Sequence, residues 1–170
     1  MTRPIFHEKT ALVWVWLSAI VVTLDQLTKW VIVNHFALFE ILPVGPVLDI
    51  TRIHNEGAAF GLLAEAGGWQ RWFFLGLASV IGLAIVWWLR SLPAHGQNWL
   101  AIGLALILGG AIGNAYDRFT DGHVVDYLHF HLGYAYFPAF NVADIAITTG
   151  AIMLIIDALL TSRRSRAAAR

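Results

Sequence analysis

The chain has 170 residues, 58% hydrophobic and 13% charged, with a formal net charge of zero and no cysteine, whereas soluble domains run at about 45–50% apolar and about 25% charged. A mean hydropathy of +0.67 argues against a soluble globular domain and excludes a disordered chain, which needs low hydrophobicity and high net charge. Neutrality leaves no field to draw in nucleic acid, so no nucleic-acid partner is expected, and the missing cysteines exclude disulfides, thiol nucleophiles and thiolate metal sites.

The length fits one domain, residues 1–170, and the composition makes it a membrane domain. A span needs ~20 apolar residues. The first stretch to supply them is 11–33, broken only by Asp25 and Lys29. It follows a basic start as a signal peptide would, but runs into Asp25-Gln26-Leu27-Thr28-Lys29 with no small-x-small exit, so an uncleaved span is predicted. The outer segment 34–68 carries Pro43, Gly45, Pro46 and Gly57 as breakers. Alternation over 47–53 predicts a short strand with 41–44 as its partner, a small sheet outside the membrane. In His54-Asn55-Glu56-Gly57-Ala58-Ala59-Phe60-Gly61, Asn55 suggests a tight turn with an amide free to bind backbone; a plain loop re-entering the membrane fits equally well.

The second span, 72–89, is uncharged between Arg71 and Arg90; a tight inner turn with Pro93 and Gly96 follows at 91–98, and the third span is 99–116. Residues 119–140 read as an outer loop rich in histidine and aromatics, 141–160 as the fourth span with Asp144 and Asp157 near its ends, and the basic tail from Ser162 as frayed. The fold class is therefore an all-α membrane protein with four transmembrane helices. With both termini inside, Arg3, Lys9, Arg90, Arg163, Arg164, Arg166 and Arg170 lie inside; Arg52 lies outside, with Arg71 and Arg118 at the outer membrane edge. Trp69, Trp72, Trp87, Trp88 and Trp99 fall at the expected interfaces.

Ionisable groups in a membrane segment are costly and therefore functional candidates. Asp25 and Lys29 stand four apart on one helix face with the acid first, the favourable order for an ion pair, and a structural pair is the leading reading. Asn114, Asp117 and Arg118 share a face at the outer end of the third span, where Gly109, Gly110 and Gly113 permit close helix approach. The Arg118 fork suits a carboxylate or carbonyl. For Asp117 the bland reading leads: it satisfies a helix end and Arg118.

Asn141-Val142-Ala143-Asp144 opens the fourth span with a good N-cap and an acid that free N–H groups and the helix dipole stabilise. Capping alone would explain Asp144; acid–base chemistry at the membrane edge is the alternative. Asp126, 18 residues earlier, sits among Val124, Val125 and Tyr127, neighbours that fit a solvated loop charge poorly. Both acids belong to outer elements and can converge. Paired carboxylates at an apolar boundary share a proton, one activating water and the other polarising a carbonyl, as in aspartic proteases. Helix position favours charge on Asp144 and apolar neighbours favour the proton on Asp126, although coupled sites can swap roles.

Elimination narrows the chemistry. Ser18, Ser79, Ser91, Ser162 and Ser165 lie in no G-x-S-x-G, and there is no H-E-x-x-H or glycine-rich phosphate loop. His123, His129 and His131 with Asp126 match no strong metal spacing, so no metal or cofactor is expected. A proton pathway through Asp25, Lys29, Asp117 and Asp144 would need partners deeper in the second and third spans, which are uncharged. A non-catalytic scaffold would tolerate asparagine at 126 and 144.

The strings Asp25-Gln26-x-x-Lys29, Asn55-x-Gly57-Ala58-Ala59-Phe60, Gly109-Gly110-Ala111-x-Gly113-Asn114-x-x-Asp117-Arg118, Gly122-x-Val124-Val125-Asp126 and Phe140-Asn141-x-Ala143-Asp144 resemble those of the lipoprotein signal peptidases (signal peptidase II), bacterial aspartic peptidases of the inner membrane. They occur in the family's order and cover essentially the whole chain. The resemblance implies four transmembrane helices with a small extracytoplasmic β-cradle, and cleavage of a prolipoprotein's signal peptide just before a cysteine already carrying diacylglycerol. It assigns Asp126 and Asp144 as the catalytic pair, Asn114, Arg118 and Asn141 as polar residues lining the site, Asn55 as a cradle-side polar residue, and Asp25 and Lys29 as a first-helix pair supporting the fold or positioning substrate. Gly61 stands where many relatives carry serine. The partners implied are a lipid-modified prolipoprotein and membrane lipids, with both termini cytoplasmic and the site on the periplasmic side.

Overall fold

The computed structural model describes residues 10–57, 67–133 and 135–168, with side chains through Arg163. Ala58, Ala59, Phe60 and Gly61 lie outside the described residues, as do Arg3, Lys9, Arg170 and the side chains of Arg164 and Arg166. In chain order come a short 3-10 turn (Ala11–Trp14), α1 (Val15–His35), β1 (Ile41–Pro43), β2 (Leu48–Asn55), α2 (Trp69–Ser91), α3 (Asn98–Thr120), β3 (Val124–Leu132), β4 (Ala135–Tyr136) and α4 (Val142–Ala168). Four helical stretches, Ala11–His35, Trp69–Ser91, Asn98–Thr120 and Val142–Arg163, are long and apolar enough to cross a membrane.

Helix α3 is the central post. It packs against α1, α2 and α4, whereas α2 packs on α3 and the 3-10 turn, and α4 on α3 and α1. More than half of α3's apolar window is buried, against at most 22% for the other three, so the outer helices turn Trp30, Trp72, Leu83, Trp87 and Ile155 outward, as lipid-facing helices do. Small residues set the close approach. A Cβ on Gly109 would fall 2.7 Å from Val21 Cβ of α1, and one on Gly113 would fall 2.5 Å from Asp25 Oδ2. Close backbone approach through glycine is how membrane helices gain packing contact.

Outside the bundle lies an antiparallel sheet of order β1-β2-β3-β4. The expected pairing of 41–44 with 47–53 is present, with Ile41 opposite Thr51. The expected outer loop 119–140 is corrected: α3 continues to Thr120, and β3 and β4 occupy most of the remainder. β3 pairs with β2, with Ile53 opposite Asp126 and Asn55 opposite Val124. The tail is corrected too, since α4 stays helical through Ala168.

Two local devices bring the far ends of this outer layer together. Gly122, at φ +83, turns the chain from α3 into β3, in a conformation glycine adopts without steric cost. Phe140 then bridges back onto β3, accepting from Leu128 N–H at 2.9 Å and donating to Leu128 O at 3.0 Å. The residue that starts α4 is thereby laid beside the middle of β3.

Candidate active site

Asp126 comes from β3 and Asp144 from the first turn of α4, and both line one cavity of about 730 Å³ whose wall includes Asn55, Asn114 and Arg118. The apolar side of the wall includes Phe74 of α2 and Ile145 and Ile147 of α4. Asp126 is 2% exposed and Asn141 fully buried.

Each carboxylate oxygen of the pair has a protein donor. Asp126 Oδ1 accepts from Asn141 Nδ2 at 2.7 Å and Oδ2 from Asn55 Nδ2 at 2.9 Å. Asp144 Oδ1 accepts from Asn114 Nδ2 at 2.8 Å and Oδ2 from the Asn141 backbone N–H at 3.2 Å. Asn141 Oδ1 accepts in turn from the Asp144 N–H at 3.0 Å. This reciprocal cap fulfils the capping expected of Asn141 and Asp144, because the orphan N–H groups of a helix start need side-chain acceptors. Capping does not exhaust Asp144, whose second oxygen faces Asn114. A carboxylate oxygen can accept two hydrogen bonds, so each keeps capacity for a proton or a water.

Burial, and after it the neighbouring charge of Asp144, push the Asp126 carboxyl from its usual 3.8 up to about 7, while the amide bonds from Asn55 and Asn141 act in the opposite direction. Asp126 is therefore a carboxyl that holds a proton near neutrality. His54, at the end of β2 and also in the cavity wall, stacks on His123 with ring centroids 3.7 Å apart. Burial and then the His123 ring lower its pKa.

Arg118 lies over the Phe74 ring at 4.8 Å and donates through Nη2 to Gly57 O at 2.6 Å and through Nη1 to Asn114 O at 3.3 Å. It thus fastens the strand-to-helix connection after β2 to α3. The pairing expected between Asp117 and Arg118 is not formed. Asp117 instead meets Lys29 Nζ at 2.7 Å and Gln26 Nε2 at 2.7 Å, because adjacent residues on a helix point in different directions. Lys29 also pairs with Asp25 at 2.8 Å and donates to Asn114 Oδ1 at 3.0 Å. Asp25 Oδ1 takes the Ala143 N–H at 3.0 Å, tying α1 to the start of α4. The structure therefore brings Asn55, Asn114, Arg118, Asp126, Asn141 and Asp144 to the cavity or its immediate support, and sets Asp25 and Lys29 directly behind it. Phe74 carries no sequence signal of its own; Gln26 belongs to the Asp25-Gln26-x-x-Lys29 string, but nothing local marks it as a partner of Asp117.

Among the described residues no three histidine or acidic side chains gather to hold a metal. His131 pairs with Asp49 at 3.4 Å, His129 stacks on Tyr136, and His123 lies on His54.

Residues 17–160 match the family model described as signal peptidase (SPase) II. The chain is 46% identical over 153 residues to a lipoprotein signal peptidase of Alteromonas mediterranea, covering 90% of this chain and 83% of the relative. It is 49% identical over 155 residues to one of Cupriavidus taiwanensis, covering 91% and 87%. A bacterial membrane enzyme solved by the in meso method at 2.3 Å superposes with a TM-score of 0.77 at 30% identity, covering 88% of this chain and 89% of that one. With four apolar helices, an outer sheet and this match over most of its length, the chain belongs to the signal peptidase II family, the lipoprotein signal peptidases, membrane proteases that process prolipoproteins.

Proposed function

We propose that the protein is an intramembrane aspartyl endopeptidase that removes the signal peptide from diacylglyceryl-modified prolipoproteins, cleaving before the lipidated cysteine. The observation that carries this reading is that Asp126 and Asp144 line one cavity and are bonded to the same residue, Asn141. A shared proton is what such a pair holds, because two adjacent carboxylates resist joint ionisation.

In this reading Asp126 carries the proton and Asp144, at a helix start, carries the charge. Asp144 takes a proton from water as the water oxygen attacks the scissile carbonyl carbon, and Asp126 gives its proton to the carbonyl oxygen. The tetrahedral gem-diol then collapses: the C–N bond breaks, the leaving nitrogen takes the proton held by Asp144, and one hydroxyl returns its proton to Asp126 as the carbonyl re-forms, which restores the starting pair. Arg118 lines the cavity, where its guanidinium can donate to a substrate carbonyl. The apolar wall of Phe74, Ile145 and Ile147 suits a signal peptide's hydrophobic side chains, while the diacylglyceryl chains stay in the bilayer and fix the bond's depth. The protein works in the bacterial inner membrane with both termini cytoplasmic and the cavity on the periplasmic side, an orientation its arginine distribution supports.

The test is cleavage of a diacylglyceryl-modified precursor by the purified protein. Asp126→Asn and Asp144→Asn are each expected to abolish cleavage in a protein that still folds. A folded variant of either kind that processes the precursor at the normal rate overturns the assignment.

A further inference from the structure

Lys29 is a buried cation that the hydrolysis above does not use. It is 3% exposed, and its three N–H bonds have three acceptors on two helices: Asp25 Oδ2 at 2.8 Å, Asp117 Oδ2 at 2.7 Å and Asn114 Oδ1 at 3.0 Å. Two carboxylates suffice to compensate one ammonium, so the third contact needs its own explanation.

That third contact has a directional consequence. An ammonium donates and cannot accept, so only the oxygen of the Asn114 carboxamide can face it. The Nδ2 must then point to the other side, where it meets Asp144 Oδ1 at 2.8 Å. The same Asn114 oxygen accepts from Asn141 Nδ2 at 3.2 Å, and that Nδ2 also reaches Asp126 Oδ1 at 2.7 Å. Asn141 is held in this sense from its other end as well, because its Oδ1 accepts the Asp144 N–H. Were Asn114 to turn over, its oxygen would face Asp144 Oδ1 and its N–H groups would face both Lys29 and Asn141, an arrangement of like against like in a site screened from water.

We propose that Lys29 is a positioning residue for the hydrolysis: by holding the oxygen of Asn114 it sets the direction of a hydrogen-bond chain that delivers a donor to Asp144 directly and to Asp126 through Asn141. The inference rests on the aspartyl reading of the site. With a neutral side chain at 29 the Asn114 oxygen keeps only the longer 3.2 Å bond from Asn141, so the carboxamide is held less firmly and the two aspartates lose part of their common alignment, while the cavity that binds substrate keeps its walls.

Lys29→Gln is compared with Asp117→Asn in detergent micelles, measuring kcat, KM and the unfolding temperature. Asp117→Asn removes one of the same ion pairs but leaves the ammonium on Asn114. Lys29→Gln is expected to lower kcat about 10- to 100-fold, as misalignment of a catalytic group does, with KM within about twofold. Asp117→Asn is expected to lower the unfolding temperature with a much smaller loss of kcat. The proposal is overturned if Lys29→Gln keeps its kcat, if it acts on KM alone, or if both variants lose kcat in proportion to their loss of stability. Should Lys29→Gln fail to fold, the Lys29→Gln/Asp117→Asn double variant, which restores the charge balance, is compared with Asp117→Asn in its place; if that also fails to fold, Lys29 belongs to the fold alone and the proposal falls. Asp126→Asn is run alongside. If it cleaves normally the aspartyl reading has failed, whereas if it is inactive and Lys29→Gln is normal, only the role of Lys29 has.

Discussion

The raised pKa of Asp126 makes the pH dependence of cleavage a sharp test. Its carboxyl sits at about 7 against an ordinary 3.8, a gap of about three units, or roughly 4 kcal/mol of preference for the neutral form. Because the folded protein keeps a proton that the unfolded chain releases, stability falls as pH rises from about 4 to about 7 and levels off above that. On the proposed mechanism the reaction needs the same proton. Asp126 is about half protonated at pH 7 and about one tenth at pH 8, so kcat/KM is expected to fall by about tenfold per pH unit on the alkaline side. Asn55→Ala removes a donor that favours the ionised form, and should move this alkaline limb to higher pH. The assay is kcat/KM for a lipid-modified precursor in micelles from about pH 5 to about pH 9. A rate that is level or rising between pH 7 and 9, or an Asn55→Ala limb displaced to lower pH, refutes the assignment of the proton to Asp126.

Backbone geometry yields two more expected outcomes. A Cβ on Gly110 would collide with the Ala143 carbonyl and lie 2.7 Å from Ile147 Cγ1, whereas one on Gly76 would meet nothing within 4 Å. Gly110→Ala should therefore cost about 1–3 kcal/mol by overpacking and lower cleavage by shifting Asp144 from Asn114, while Gly76→Ala should gain up to about 1 kcal/mol in helix propensity; thermal unfolding of the two in one detergent checks the order. Phe39 has φ 65 and is 68% exposed, a left-handed conformation that asparagine tolerates better, so Phe39→Asn should raise the unfolding temperature by the equivalent of about 1 kcal/mol with cleavage retained.

The helices are readable in the sequence because uninterrupted apolar runs have few other uses, and the candidate residues that gather at the cavity because acids and amides are costly in such a chain. The limits are just as physical. β3 is hidden because Val124, Val125, Asp126 and Tyr127 are all buried, which erases the alternation that marks a half-buried strand. The last turn of α3 is hidden because Asn114, Asp117 and Arg118 resemble the wet end of a span; their partners come from α1, α4 and the segment after β2. Asn141 is legible as a cap, but its contact with Asp126 depends on the Phe140 bridge, a tertiary pairing that no local pattern announces.

The cavity is walled by Phe74 on one side and by Ile145 and Ile147 on the other, from helices that each lean on α3. On the proposed reading, a slot lined by apolar residues of two membrane-spanning helices opens toward hydrocarbon along its flank. On the proposed reaction the severed leader helix can slide sideways into the lipid it came from, never entering water, so its departure is a two-dimensional drift that needs no exporter. Turnover would then answer to the thickness and fluidity of the bilayer as well as to the chemistry at the aspartates.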